Sequence, residues 1–170
     1  FDCGFRTGDY LYCGYALTLL VEMKYLTGTP LGELEKFIAG HEKYVTKLNN
    51  DPLRRSFAMF RDHINMLAEP GISPQERLIE DKDIALLDTN EAMIYRLLKI
   101  QRLYREGRIE EAYHLACGAV KNLASIMGCM SQVDFVFYFL LTSLEMVKDK
   151  GVNHRVQENK AFRKYRKKLK

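Results

Sequence analysis

The stretch Leu103-Tyr104-Arg105-Glu106-Gly107-Arg108-Ile109-Glu110-Glu111-Ala112 constrains the fold more than any other part of the chain. It reads as the last turn of one helix, a tight reversal at Gly107, and the first turn of the next. Glycine supplies the left-handed backbone that such a reversal demands. Beyond it, Ala112, Ala116 and Ala119 recur at helical spacing, so three small side chains share one face and let a neighbouring helix come close.

The same punctuation recurs along the chain. Residues 9–27 give a helical pattern that is apolar on more than one side and stops at Gly28. Thr29-Pro30 offers a cap and a first helical residue for a second helix, whose stripe is Leu31, Leu34, Phe37, Ile38, His41, Tyr44, Val45 and Leu48. Asn49-Asn50-Asp51-Pro52 starts a third, with Asp51 read as the cap and Phe57, Phe60, Ile64 and Leu67 as its stripe. Asp88 and Glu91 have the spacing of a capping box for a fourth, with Ala92, Met93, Leu97, Ile100 and Tyr104 facing inward. A fifth runs from Gly107 to Gly128. Ser131 is read as the cap of a sixth, which ends near Gly151, and 153–170 suits a basic seventh. Between the third and fourth, 69–88 breaks the pattern with Pro70-Gly71, Ser73-Pro74 and the acidic Glu80, Asp81 and Asp83. A connection this long is uncommon in a compact domain and is read as an insertion loop. The expected fold is all-α: an antiparallel stack of helical hairpins of about seven helices with one long insertion, forming a single segment over 1–170. Its opening at Phe1 suggests a piece cut from a longer protein.

Composition narrows the function. Eight Lys or Arg against one Glu lie between His154 and Lys170, so the tail holds +7 and the body −3 of the formal +4. The basicity is local and makes no general case for nucleic acid. Cys3, Cys13, Cys117 and Cys129 have no metal-ligand spacing and read as small apolar thiols. His41, His63, His114 and His154 are far apart and read as packing residues. The longest wholly apolar run, Phe135 to Leu141, is short of the about 20 residues of a membrane span. No phosphate-cradling glycine loop, kinase catalytic loop or cyclase motif is present. No catalytic, cofactor-binding or metal-ligating residue is therefore assigned, and no membrane insertion is expected. Phe135, Phe137, Tyr138 and Phe139 cannot all face one core, because a helix spreads them around its circumference.

Three stretches, taken in order, carry a resemblance: Gly8-Asp9 with Tyr15-Ala16; Leu26-Thr27-Gly28-Thr29-Pro30-Leu31 with Glu33-Leu34-Glu35; and Arg102 to Ala116, followed by the aromatic helix and Gly151-Val152-Asn153-His154-Arg155. Together they resemble the tetratricopeptide-like helical region of large bacterial signalling proteins. In those proteins it lies between kinase-like and AAA- or STAND-type ATPase domains and GAF or PAS sensors with histidine kinase or diguanylate cyclase outputs. Arg96 stands where the standard repeat favours Trp, and Glu33 where it favours Ala, so the carboxylate-clamp residues of that family have no counterparts here.

The resemblance implies an α-α superhelix and a non-catalytic, cytoplasmic interaction or relay role, with proteins, peptides or other domains of the same chain as partners, or a second copy. The expected partner surface is Ile94, Leu97, Gln101, Tyr104 and Arg105, with Tyr12 and Tyr15. The competing reading is the helical-repeat part of an ATPase-type transcription regulator that meets nucleic acid through its basic tail.

Overall fold

A computed structural model describes residues 7–47, 50–68 and 87–150. All regular structure among them is helical: α1 (Tyr10–Leu26), α2 (Leu31–Val45), α3 (Asp51–Ala68), α4 (Thr89–Arg105), α5 (Ile109–Ala119), a 3-10 segment (Val120–Ile126) and α6 (Met130–Lys150). The expected seventh helix and nearly all of the 69–88 insertion lie outside the described residues. The chain divides into two compact units, 1–92 and 93–170, with the boundary inside α4.

In the first unit α1, α2 and α3 pack on one another in every pairing. Leu34, Ile38 and Val45 are buried from α2, and Leu53, Phe57, Phe60 and Ile64 from α3. These are the stripes that the periodicity marks out. Charged Glu33, Lys36 and Lys43 stay exposed on the other side of α2. From α1 the core takes Cys13, Leu17 and Val21.

In the second unit the small-residue face is the centre of the core. Ala112, Ala116 and Ala119 have no exposed surface and pack with Met93, Leu97, Ile100 and Leu103 of α4 and with Phe135 and Phe139 of α6. An alanine ladder leaves room for two phenylalanine rings because it brings no bulk of its own, and close packing is what rewards that match. The aromatic run separates as geometry requires. Phe135 and Phe139 are buried, Tyr138 meets Tyr104 edge-on at 5.8 Å between ring centres, and Phe137 faces outward.

Both marked reversals are made by glycine in the left-handed region, with φ +78° at Gly28 and +74° at Gly107. At each, the third residue past the helix donates back across the turn: Thr29 N–H to the Lys24 carbonyl at 3.0 Å and Arg108 N–H to the Leu103 carbonyl at 2.9 Å. These are Schellman closures, which satisfy carbonyls that the helix end leaves open. The capping box at α4 also forms: Glu91 N–H donates to Asp88 Oδ1 at 2.8 Å and Asp88 N–H to Glu91 Oε2 at 3.0 Å.

Other boundaries differ from the sequence reading. Thr29 makes no cap for α2; Pro30 occupies that position, with no side-chain bond. Its carbonyl accepts from Glu33 and Leu34 instead. The cap of α3 falls one residue earlier than Asp51. Asn50 Oδ1 accepts the Leu53 N–H at 3.1 Å, and Asp51 is the first helical residue. Ser131 lies inside α6, which starts at Met130. The fifth helix tightens at Ala119 into the 3-10 form. Three residues per turn then align Leu123 with Ile126, and both are buried.

Candidate functional site

Of the residues expected to form a partner surface, three of the five on α4 do not lie on an open face. Ile94, Leu97 and Gln101 are buried, at 7, 3 and 1% exposure. Leu97 belongs to the apolar core, and Gln101 Nε2 donates to the Asp134 carboxylate of α6. An incoming peptide would have to displace those contacts to touch them. Tyr104 is half-buried beneath Tyr138, while Arg105 is exposed at the end of α4. Tyr12 and Tyr15 are the open ones, at 70 and 50%.

Around those two tyrosines the structure reveals a larger feature. Leu11, Tyr12, Tyr15, Leu19 and Met23 are all about half exposed or more and fall on one side of α1. At 100° per residue they occupy an arc of about 120°. Cys13, Leu17 and Val21 turn the opposite way into the core. α1 is thus apolar on two faces, and the charged residue whose position falls within the outward arc, Glu22, is itself buried. Large exposed patches of this kind mark interaction surfaces on soluble proteins, and tyrosine suits them, with an apolar ring and a polar tip.

The polar chemistry of the first unit lies elsewhere. A groove of about 360 Å3 between α2 and α3 has Val45, Phe57 and Ala58 on its walls and Arg54, Arg55 and Arg61 around it. Each guanidinium is held by carboxylates of the chain. Arg54 pairs with Asp51 one turn away. Arg55 forms a fork on Glu91, with Nε to Oε1 at 2.8 Å and Nη2 to Oε2 at 3.1 Å. Arg61 bonds Asp62 at 3.0 Å and also Glu42 of α2. The hydrogen bond that Arg55 donates to Glu91 raises its pKa above the ordinary value, against the cost of burial. For Arg61 burial works against the charge, and the bonds and charges of Asp62 and Glu42 outweigh it, so its pKa also stands high. Arg55 and Arg61 act as struts between segments, and an anion entering the groove would compete with carboxylates already in place.

Glu91 has a double duty that spacing could not show: it closes the capping box of α4 and anchors Arg55, 36 residues earlier. Its partner is silent in the sequence because nothing local links Arg55 to a helix start beyond the insertion. The nearest signal is the arginine pair Arg54-Arg55 on the flank of an apolar stripe.

Two of the histidines, His63 and His41, are tied into packing, and His154 lies outside the described residues. His63 is buried, with Nε2 at 2.9 Å from the Tyr25 hydroxyl and the two rings perpendicular. His41 Nδ1 lies 2.7 Å from the Phe37 carbonyl one turn back. His114 is exposed, 3.8 Å from Glu110. Among the described residues no group of three or more His, Cys, Asp or Glu is placed to hold a metal ion. Cys13, Cys117 and Cys129 are not joined in disulfides, and Cys13 is buried.

The apolar run of the sixth helix sits inside a longer stretch. Met130–Lys148, 19 residues at a mean hydropathy of 1.2, is the one described helix segment apolar and long enough to cross a membrane by composition. Its helix also supplies Phe135 and Phe139 to the core.

No family model, curated protein or solved structure matches the chain.

Proposed function

We propose that this chain is a non-catalytic protein-interaction module, and that the outward face of α1 is its principal docking surface. The observation that carries the reading is the apolar arc Leu11, Tyr12, Tyr15, Leu19 and Met23, exposed on a helix whose opposite side is buried. A helix that is apolar all round has its low-energy setting with both sides covered. Removing that arc from water on binding, at roughly 25 cal/mol per Å2, supplies the affinity. Tyr12 and Tyr15 serve as anchors of the kind that dominate interfaces.

The resemblance to tetratricopeptide-like regions supplies the wider setting. In it, the helices form an antiparallel stack of hairpins turned at Gly28 and Gly107, and the module sits in the cytoplasm of a bacterial cell. It couples an ATPase-type domain to sensor and output domains of a multidomain signalling protein. The left-handed glycines at both turns and the buried Ala112, Ala116 and Ala119 support this reading.

Site-specific photo-crosslinking tests the docking surface. A benzophenone side chain at position 12 or 15, expressed in cells, is expected to form a covalent adduct with one defined protein, whereas the same group at exposed Lys36 of α2 is not. Changing Leu19→Glu should abolish the adduct and leave the helical circular dichroism unchanged. Equal labelling from positions 12 and 36, or an adduct that survives Leu19→Glu, would refute the assignment.

A further inference from the structure

We infer that the outer row of α6 is a lipid-facing surface that seats the second unit on an anionic membrane without crossing it, and that the basic segment 154–170 supplies the attraction. Met130, Val133, Phe137, Leu141 and Leu144 fall, at 100° per residue, within an arc of about 80°. Val133 is 73% exposed and Phe137 56%; Met130 and Leu144 are also exposed, and Leu141 is half-buried. Met127, at the turn that leads into the helix, is exposed as well. The buried Phe135, Phe139, Thr142 and Met146 lie on the opposite side, and Leu140 and Val147 at the margin pack on the same core. A helix that holds its own core on one side cannot span a bilayer and keep that core. The row on its other side can still lie in the boundary between headgroups and acyl chains, about 5–10 Å deep.

Charge selects anionic lipid as the occupant. Arg155 follows the helix end at Lys150 by five residues, within about 18 Å at full extension. From there to Lys170 eight Lys or Arg stand against one Glu, interleaved with Phe162, Tyr165 and Leu169. A cluster of that size beside an apolar helix is drawn to acidic headgroups, at about fivefold in affinity for each cation near the surface. Asp134 and Glu145 border the row on one edge. Glu145 accepts from Lys148 at 2.9 Å, so that pair is neutral as a unit, and Asp134 accepts from Gln101. The formal +7 of 154–170 outweighs what Asp134 leaves. Nucleic acid would engage the cations and leave the apolar row in water. A protein groove or a second copy would cover the row and leave the cations unanswered. An anionic bilayer offers hydrocarbon and dense negative charge within about one Debye length of each other, about 8 Å in physiological salt. Two weak signals on one stretch of chain make a stable anchor where either alone is marginal.

The test is co-sedimentation of the 170-residue chain with vesicles. With phosphatidylcholine vesicles that contain about one-third phosphatidylglycerol, half of the chain should pellet at about 0.1 mM lipid in about 0.1 M salt, the strength of a single acyl anchor. Pure phosphatidylcholine should not retain it, and about 1 M salt should release it. Arg163→Gln, Lys164→Gln, Lys167→Gln and Lys168→Gln together should weaken binding about 100-fold or more. Val133→Glu should weaken it about tenfold or more, with the circular-dichroism melt unchanged, since the position is exposed. The chain has no tryptophan, so Phe137→Trp adds a single reporter. Its emission should shift to the blue on binding and be quenched by brominated lipid. His114→Trp, at an exposed position of α5, which packs on the core side of α6, should do neither. No pelleting at about 1 mM anionic lipid would overturn the inference. So would binding indifferent to lipid charge or to Val133→Glu, or a bound Phe137→Trp variant that stays unquenched, because the tail alone would then be adsorbed. Release from vesicles by an equal phosphate concentration of random duplex DNA would give the tail to nucleic acid. A blue shift of Phe137→Trp that grows with protein concentration in the absence of lipid would give the row to a second copy. Either of these overturns the proposal as well.

Discussion

The two units of the chain are held by different means. The second is mainly apolar at its centre, where Ala112, Ala116 and Ala119 lie with Phe135 and Phe139 and small residues accommodate large ones, with a polar tie from Gln101 to Asp134 beside it. The first has an apolar core too, but it is crossed by polar ties between elements distant in sequence. These are Arg55 to Glu91, Arg61 to Glu42, and Tyr25 to His63. The contrast teaches where each unit is vulnerable. An apolar core loses stability in proportion to the volume removed from it. A tied one loses it when a single partner is removed and a buried polar group is left behind.

Phe139→Ala should have the largest effect on stability. It empties a fully buried ring site against alanines too small to collapse into it, and should cost about 3–5 kcal/mol in urea unfolding. A loss below about 1 kcal/mol would show that the second core is looser than its burial implies.

Next comes Arg55→Ala, which leaves the nearly inaccessible Glu91 carboxylate with only its capping bond. Breaking a fully buried pair costs 3–5 kcal/mol; Arg55 is partly exposed, so about 2 kcal/mol is expected. Adding Glu91→Gln should recover part of that loss, because the unpaired charge is then gone. A double-mutant cycle measures the coupling and sharpens the contrast with Phe139, where no polar rescue exists.

Gly107→Ala should cost about 1 kcal/mol, since alanine is strained at a φ of +74°. The space around that position is open, so strain alone accounts for the loss.

The smallest effect belongs to the surface. Arg108 holds the Glu111 carboxyl below its ordinary pKa, chiefly by hydrogen bonding. Any stability from the pair is present above the ordinary glutamate value and fades as pH falls through the lowered one. Both groups are exposed, so unfolding should register little. The carboxyl carbon of Glu111 should titrate below the ordinary glutamate midpoint by NMR and return to it in Arg108→Ala.

Much of the architecture was readable in the residues because it depends on local rules. A reversal that needs positive φ points to Gly28 and Gly107, and the spacing of Asp88 and Glu91 points to a capping box. Alanines at helical spacing announce a close approach. What stayed hidden depends on distant partners. Nothing within a few residues of Arg55 says that Glu91 will meet it, and Gln101 gives no sign that Asp134 will take it out of reach of a partner. The cap of α3 slipped to Asn50 because Asn and Asp in adjacent positions compete for one role on nearly equal terms. Periodicity also loses its force where a helix is apolar all round. In α1 it marks several candidate faces without saying which is covered, so Leu11, Leu19 and Met23 were not singled out as surface; Leu97 of α4 was placed both on the inward stripe and on the partner surface, and its burial decides for the stripe.

The central claim is that the outer arc of α1 is open in the isolated chain and covered at work. Hydroxyl-radical footprinting tests it directly. In the purified chain Tyr12, Tyr15 and Met23 should oxidise readily, with exposed Met127 as the internal reference. In cells that express the chain with its natural neighbours, Tyr12, Tyr15 and Met23 should be protected about fivefold or more relative to Met127, as expected of side chains at the centre of an interface. Equal reactivity in both settings would contradict the account, because α1 would then meet nothing but water.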